Sequence, residues 1–323
     1  MCTAVSINDN GHYFGRTLDI ECSYGESVVI TPRFFDINFL YEPHLEKHYS
    51  IIGVAHIYNG FPLYYDGANE CGLCMAGLSF TGNAVYHMNI KGKHNIASYE
   101  VIPWILGRCD SINSAIELLK STNITPDSFA PELPASPLHW IISDKDESVT
   151  VESTRDGLKI QQNSVGVLTN NPDFSFHIAN LSQYVNLTPF PPENKVAPTL
   201  QIKQFSKGFG SFGLPGDYSS ASRFVRAAFV KNHTQGYENQ VSRLFKILDS
   251  VSVPYGCVIN NDGAPHYTAY SSCIDASSGA YYYTTFGCHR INSVRLNTSN
   301  LDTHSLISFE LSFSEDIKEW SND

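Results

Sequence analysis

Alternating and one-sided runs of apolar residues divide this chain into strand-like and helix-like stretches. Cys2 to Ile7 is short and rich in β-branched residues, Asn8-Asp9-Asn10-Gly11 reads as a turn, and His12 to Leu18 is strand-like again, so the chain is predicted to open with a β-hairpin. A third run, Ser27 to Thr31, stops at Pro32. Further strands are expected at Ser50 to His56, Cys74 to Phe80, His139 to Ser143, Ser148 to Ser153, Tyr267 to Ser272, Ala280 to Phe286 and Leu306 to Leu311. Helical spacing is different. Ser111 can cap a helix whose Ile112, Ala115, Ile116 and Leu119 follow the i, i+3, i+4, i+7 pattern. Ala221, Phe224, Val225, Ala228 and Phe229 repeat that pattern, as do Val241, Leu244, Phe245 and Leu248. Each stripe is one-sided, as suits a helix lying on a sheet. Strands dominate the first eighty residues and return at the end, with helices grouped between, which predicts α+β layers rather than a parallel βαβ fold. The stretch Thr188 to Gly216 is rich in Pro, Gly and Lys and has little periodicity; it reads as an arm on a single domain spanning 1–323.

Composition narrows the picture. With 323 residues, 42% hydrophobic and 16% charged, the chain can bury a full core. Its 21 Lys+Arg against 32 Asp+Glu leave a net charge of −11, which argues against a nucleic-acid partner. No apolar run reaches the roughly 18–20 residues that span a bilayer, and the first basic residue, Arg16, follows no apolar secretory segment. A soluble cytoplasmic protein without a membrane partner is therefore expected. Eight cysteines, at 2, 22, 71, 74, 109, 257, 273 and 288, are too sparse for a disulfide scaffold and should be free thiols. In that setting the five Asn-x-Ser/Thr sequons, the last at Asn297, carry no meaning.

Three motifs are weak by their context. Gly208-Phe209-Gly210-Ser211-Phe212-Gly213 has the letters of a dinucleotide fingerprint, but it lacks a preceding strand, and Leu214-Pro215-Gly216 keeps a helix from starting on time. A glycine-rich turn is expected there. Cys71-Gly72-Leu73-Cys74 has zinc or redox spacing, yet no second ligand pair accompanies it, and it reads as a turn entering a buried strand. His44 and His48 could share a helix face, but Pro43 precedes them and Glu46 is misplaced for a zinc motif, so a solvated segment is expected. A thiol- or metal-binding module resting on Cys71 and Cys74, or a non-catalytic binding protein, remains the alternative from another functional class.

Cys2 differs in kind. Removal of the initiator methionine would put a thiol and an α-amine on one residue, and a free α-amine with a pKa of about 7.7–8.0 can accept the thiol proton at neutral pH. No histidine is then needed. A nucleophile of this kind also needs a cation to favour the thiolate, a carboxylate to orient the amine, and donors for a tetrahedral oxyanion. The hairpin returns Arg16 and Asp19 to Cys2. They are three residues apart and so have opposite parity on a regular strand, which requires the strand to end or kink near Thr17 if both are to reach the thiol.

Taken together, Met1-Cys2-Thr3, Tyr13-Phe14-Gly15-Arg16-Thr17-Leu18-Asp19, Leu63-Tyr64-Tyr65-Asp66 with Asn69-Glu70, Pro137-Leu138-His139-Trp140, Val167-Leu168-Thr169-Asn170-Asn171-Pro172, Leu214-Pro215-Gly216-Asp217 and Ser222-Arg223-Phe224-Val225-Arg226 resemble the choloylglycine hydrolase family of N-terminal nucleophile hydrolases. That family comprises bile salt hydrolases and penicillin V acylases. The resemblance runs in order along essentially the whole chain, and it implies a four-layer αββα sandwich, a homotetramer joined by an extended arm, and no metal or cofactor. Residue by residue, it makes Cys2 the nucleophile flanked by Arg16 and Asp19, Asn170 an oxyanion donor, and Arg223 a second active-site arginine. At Ser79, bile salt hydrolases usually carry Asn and penicillin V acylases often Tyr, so only the backbone N–H is expected to serve the oxyanion there. Leu18, Tyr24, Tyr65, Phe129 and Leu133 are the expected substrate-contacting positions. The implied reaction is hydrolysis of a small-molecule amide: a glycine- or taurine-conjugated bile acid, or alternatively a phenoxyacyl penicillin or an acyl-homoserine lactone.

Overall fold

Asn10 and Gly11 both take positive φ, 59° and 108°, and so close the predicted hairpin tightly. Strand Cys2–Ile7 then pairs antiparallel with Tyr13–Ile20, setting Cys2 opposite Leu18 and Ala4 opposite Arg16. The computed structural model that shows this describes residues 1–296 and 300–321; the sequon at Asn297 lies outside them.

Two antiparallel sheets stack face to face among the described residues. The first has seven strands and runs Val167–Leu168, Cys2–Ile7, Tyr13–Ile20, Pro265–Asp275, Ala280–Thr285, Cys288–Arg295, with Val258–Ile259 added beside Pro265–Asp275. The second has nine and runs Gly157–Gln162, Ser148–Thr154, Leu138–Ser143, Cys74–Ser79, Asp66–Asn69, Ile51–Tyr58, Ser27–Thr31, Ile307–Glu310, with Phe61–Tyr64 beside Ile51–Tyr58. Helices Ser220–His233 and Gln240–Asp249 cover the outer face of the first sheet, where Phe224, Leu244 and Leu248 join its core. Helices Val101–Arg108 and Ile112–Lys120 cover the second, through Trp104, Ile105 and Leu119. The result is the expected four-layer αββα sandwich. No helix among the described residues is long and apolar enough to cross a membrane.

One glycine is sterically required beside the hairpin's functional residues. A Cβ on Gly15 would lie 2.0 Å from the Ser272 carbonyl and 2.8 Å from Leu244, so only glycine lets the neighbouring strand and helix close over this position. Helix Val101–Arg108 escaped the periodicity reading because seven of its eight residues are buried, leaving no polar face to mark the turn. The short strands Asp66–Asn69 and Val167–Leu168 were also missed, since four and two residues carry too little pattern.

Between residues 188 and 216 the described structure has one 3-10 turn, Phe209–Ser211, flanked by positive φ at Gly208 and Gly213. The glycine-rich stretch is thus a turn: no strand leads into it, and the next helix starts only after the Ser219 cap. All eight cysteines are free. Cys71 is exposed in a turn where Gly72 has φ 86°, and Cys74 is buried in the strand that follows. His48 departs from the solvated segment expected of it. It is buried at 7% exposure, with its ring nitrogens 2.7 and 2.9 Å from the Tyr49 and Phe35 carbonyl oxygens, because loop closure over helix Val101–Arg108 turns it inward.

Candidate active site

In an antiparallel ladder, directly opposed residues share a face, so Cys2, Arg16 and Leu18 all point into the space between the sheets. Arg16 is fully buried there. Its Nη1 donates to the Tyr65 and Gly77 carbonyls of the second sheet at 2.9 and 2.7 Å, and its Nε to the Thr17 carbonyl at 3.2 Å. Burial opposes its charge, but Cys2, Tyr270, Asp66 and Asp19 together outweigh burial and hold the guanidinium firmly protonated.

Asp19 stands on the opposite face of the same strand. No kink at Thr17 brings it round: the strand continues unbroken to Ile20. Asp19 instead lies opposite Met1, whose carbonyl accepts the Asp19 N–H at 2.9 Å and whose terminal amine donates to the Asp19 carbonyl at 2.7 Å. Cys2 is therefore flanked from two sides at its N-terminal end, by Arg16 from the inter-sheet space and by Asp19 from the helix side. A β-bulge in the adjoining strand Pro265–Asp275 supports both. Its register slips between Thr268 and Tyr270, so Thr268 faces Asp19 and donates to Oδ1 at 2.6 Å, while Tyr270 faces the inter-sheet space. Asp19 Oδ2 is buried without a partner.

Asn170 follows the two-residue strand Val167–Leu168, which pairs with Cys2–Ile7. Its Oδ1 accepts the Cys2 N–H at 2.9 Å and Arg223 Nη2 at 2.6 Å, and its Nδ2 donates to the Ser79 carbonyl at 2.9 Å. Arg223, in the first turn of the Ser219-capped helix, reaches inward as expected. It donates to the Cys2 carbonyl at 2.5 Å and to Thr3 Oγ1 at 2.6 Å. Burial lowers its pKa, opposed by Asp19 and Cys2. Cys2, Arg16, Asp19, Ser79, Asn170 and Arg223 thus converge.

Sequence reasoning missed the supports behind them. His177 Nε2 donates to the Asn170 carbonyl at 2.8 Å, and its ring stacks on Phe224. Burial depresses its pKa, which favours the neutral ring. His139, inside the Pro-Leu-His-Trp motif, lies 2.9 Å from the Thr169 carbonyl and stacks on Phe80. A buried histidine, whether on a helix like His177 or in a strand like His139, carries no local signal that separates it from packing.

A cavity of about 350 Å³ opens beside this centre, lined by Tyr24, Tyr65, Phe129, Leu133, Tyr99 and Gly77 among others. It borders the buried centre through Tyr65 and Gly77, whose carbonyls hold Arg16. Four of the five expected contact residues line it. Leu18 does not: it is 4% exposed and packed in the inter-sheet core opposite Cys2, because its place in the ladder points it between the sheets.

Residues 2–309 match the family model for linear amide C–N hydrolases of the choloylglycine hydrolase family. The chain belongs to the choloylglycine hydrolase family. Like its members it is a linear amide C–N hydrolase. It is 45% identical to a bile salt hydrolase/transferase of Lactiplantibacillus plantarum over 314 residues, 96% of this chain and 97% of that protein. Its fold superposes with a TM-score of 0.94 on a C2A mutant of the conjugated bile acid hydrolase from Clostridium perfringens, 34% identical and covering 99% of this chain and 100% of that one. Penicillin V acylase from Agrobacterium tumefaciens shares the fold at a TM-score of 0.77 and 20% identity, over 97% of this chain and 92% of that one.

Proposed function

We propose that this choloylglycine hydrolase cleaves glycine or taurine from conjugated bile acids, with Cys2 as nucleophile. The observation that carries this reading is the position of the cavity: largely apolar and about 350 Å³, it is bounded by Tyr65 and Gly77, whose carbonyls hold Arg16 on the face that Cys2 shares. The identity to bile salt hydrolases over nearly the whole chain points the same way.

In the reaction, loss of Met1 frees the Cys2 α-amine, whose nitrogen already donates to Asn170 Oδ1, at the place where Met1 now pairs with the Asp19 backbone. The amine takes the thiol proton, and sulfur bonds to the amide carbon. The carbonyl oxygen becomes an oxyanion, held by the Asn170 side-chain amide and the Ser79 N–H. As the tetrahedral adduct collapses, the C–N bond breaks and the ammonium proton passes to the departing amino group of glycine or taurine. Water then adds to the thioester with the α-amine as base, the C–S bond breaks, and the bile acid leaves. Arg223 holds the Asn170 oxygen and the Cys2 carbonyl, so the donor and the nucleophile keep one geometry.

The eight free thiols fit a reducing cytoplasm. Residues 188–216 are read as an assembly arm that joins four copies. Val196, Phe205 and Phe212, at 90%, 90% and 80% exposure, are the apolar surface such a contact would bury.

Glycocholate, taurocholate and penicillin V assayed with one preparation, alongside Cys2→Ala and an intact-mass measurement, test the reading. Bile salt turnover by a chain lacking Met1, lost in Cys2→Ala, is expected. Rapid penicillin V cleavage with negligible bile salt turnover, or full activity with Met1 retained, overturns it.

A further inference from the structure

His139 and Glu152 stand directly opposite each other on neighbouring strands of the second sheet, Leu138–Ser143 and Ser148–Thr154, so their side chains share one face. That face looks between the sheets, since the alternate residue Ile141 joins the core there while Trp140 and Ile142 pack toward the helices of the second sheet. Both residues are buried, and neither has a part in the mechanism proposed for Cys2. His139 Nδ1 lies 3.2 Å from Glu152 Oε1, and Nε2 lies 2.9 Å from the Thr169 carbonyl oxygen. Glu152 Oε1 also accepts the Phe174 N–H at 2.9 Å. Phe80 stacks on the imidazole with centroids 4.3 Å apart and planes 8° apart, which fixes the plane of the ring.

The three bonds constrain one another. A carbonyl can only accept, so Nε2 must carry a proton for Thr169, and a second proton must lie between Nδ1 and Glu152. A carboxyl group meets this demand and still accepts from Phe174. The pair thus grips Thr169 and Phe174, which bound the segment Asn170-Asn171-Pro172-Asp173, and Asn170 is the first residue inside it. From the other side, Ser220 Oγ accepts the Asn170 N–H at 2.9 Å and His177 donates to its carbonyl at 2.8 Å, both from the helix layer. His139 and Glu152 tie the backbone of the segment to the second sheet, where Ser79 lies opposite Leu138, the residue before His139. They therefore set the distance between the two groups that serve the oxyanion, the Ser79 N–H and the Asn170 side-chain amide.

We propose that His139 and Glu152 are positioning residues of the hydrolysis: by holding Thr169 and Phe174 they fix where Asn170 presents its amide relative to Ser79, without touching substrate themselves. The proposal rests on the reading of Asn170 as an oxyanion donor. The oxyanion exists only once sulfur has attacked, so a displaced donor slows the chemical step and leaves substrate binding in the cavity as it was.

The test measures kcat and KM, on whichever of glycocholate and penicillin V is turned over, for wild type, His139→Phe, His139→Gln, Asn170→Ala and the double variant His139→Phe/Asn170→Ala. Phenylalanine keeps the stack on Phe80 and removes both nitrogens; glutamine keeps a donor for the Thr169 carbonyl. His139→Phe is expected to lose kcat about 10–100-fold at unchanged KM, and His139→Gln to recover most of it. In the Asn170→Ala background His139→Phe should cost nothing further, because both changes act through one donor. Equal losses in the Phe and Gln variants, a raised KM in place of a lowered kcat, or additive losses in the double variant each overturn the proposal and leave the pair to packing. Should His139→Phe not fold, Glu152→Gln decides. With its oxygen beside the ring, a neutral imidazole has no proton left for Nδ1; with its nitrogen there, the Phe174 N–H faces a donor. A fall in kcat at constant KM is expected, and an unchanged kcat is fatal. Full activity in Asn170→Ala marks a different failure, that of the oxyanion reading, and takes the proposal with it.

Discussion

Two side chains carry the sharpest consequences at the scale of single residues. Asn170 is the only group here that touches the Cys2 N–H, Arg223 and the Ser79 carbonyl at once. Removing its amide in Asn170→Ala should lower kcat by about 10²–10³-fold, the usual cost of one oxyanion donor, with little change in KM; steady-state kinetics on glycocholate checks this. Thr268 acts one step further out. Its hydroxyl donates to Asp19 Oδ1 and accepts the Val253 N–H at 2.8 Å. In Thr268→Val the Asp19 carboxylate loses the Thr268 hydroxyl, its one side-chain donor among the described residues, a hydrogen bond to a charge worth about 1.5–3 kcal/mol. We expect kcat/KM to fall at least tenfold, with Thr268→Ser restoring most of it; equal losses in both would assign the effect to packing. Cys2, Arg16, Asp19, Asn170 and Arg223 were legible because each sits in a stretch of recognisable residues. Thr268 and His177 were not, since a threonine in a strand and a histidine on a helix look the same whether or not they brace a site.

At the scale of elements, the bulge in strand Pro265–Asp275 is the device that the alternation rule could not foresee. A regular strand would put Thr268 and Tyr270 on one face; the slipped register puts them on opposite faces, toward Asp19 and Asp66. The expectation of a kink at Thr17 looked for the irregularity in the wrong strand. The connection before helix Val101–Arg108 offers a separate test. Glu100 accepts the Leu40 and Ala97 N–H groups at 2.6 and 2.9 Å, and burial pushes its pKa up to about 7 from 4.5. The folded state thus holds this proton more tightly than the unfolded chain. The cost of keeping Glu100 charged is fully present above pH 7 and is relieved as pH falls from 7 toward 4.5. Glu100→Gln has no such proton. Urea unfolding should therefore show wild type gaining about 2 kcal/mol on the variant between pH 7 and pH 5, and parallel pH slopes would refute the assignment.

For the whole molecule, the layers explain why the centre is buried. The strand that carries Cys2 lies between Arg16's carbonyl partners in one sheet and Arg223's helix on the other side, so each face of Cys2 is covered by a different layer. Residues 188–216, the proposed arm, expose large apolar side chains, with Phe205 at 90% exposure. Native mass spectrometry should record a tetramer for wild type and smaller species for Phe205→Asp, because a charge placed in an apolar contact loses its solvation on assembly. A monomeric wild type would remove the arm's proposed role.

Local pattern by itself determined the hairpin, the one-sided helices, the α+β layering and the return of Arg16 and Asp19 to the neighbourhood of Cys2, because periods of two and 3.6 residues and a tight turn are properties of neighbouring residues. Only the tertiary structure decided what surrounds that face. Asn170 reaches Cys2 from 168 residues away, Arg223 from 221, and Thr268 reaches Asp19 from 249. Leu18 belongs to the core and not to the cavity, and Asp66 is buried between the sheets where Tyr270, Ser272 and Tyr281 donate to it, for the same reason. Sheet register and layer stacking bring distant strands together, and the charge balance of a desolvated centre exists only after they have met.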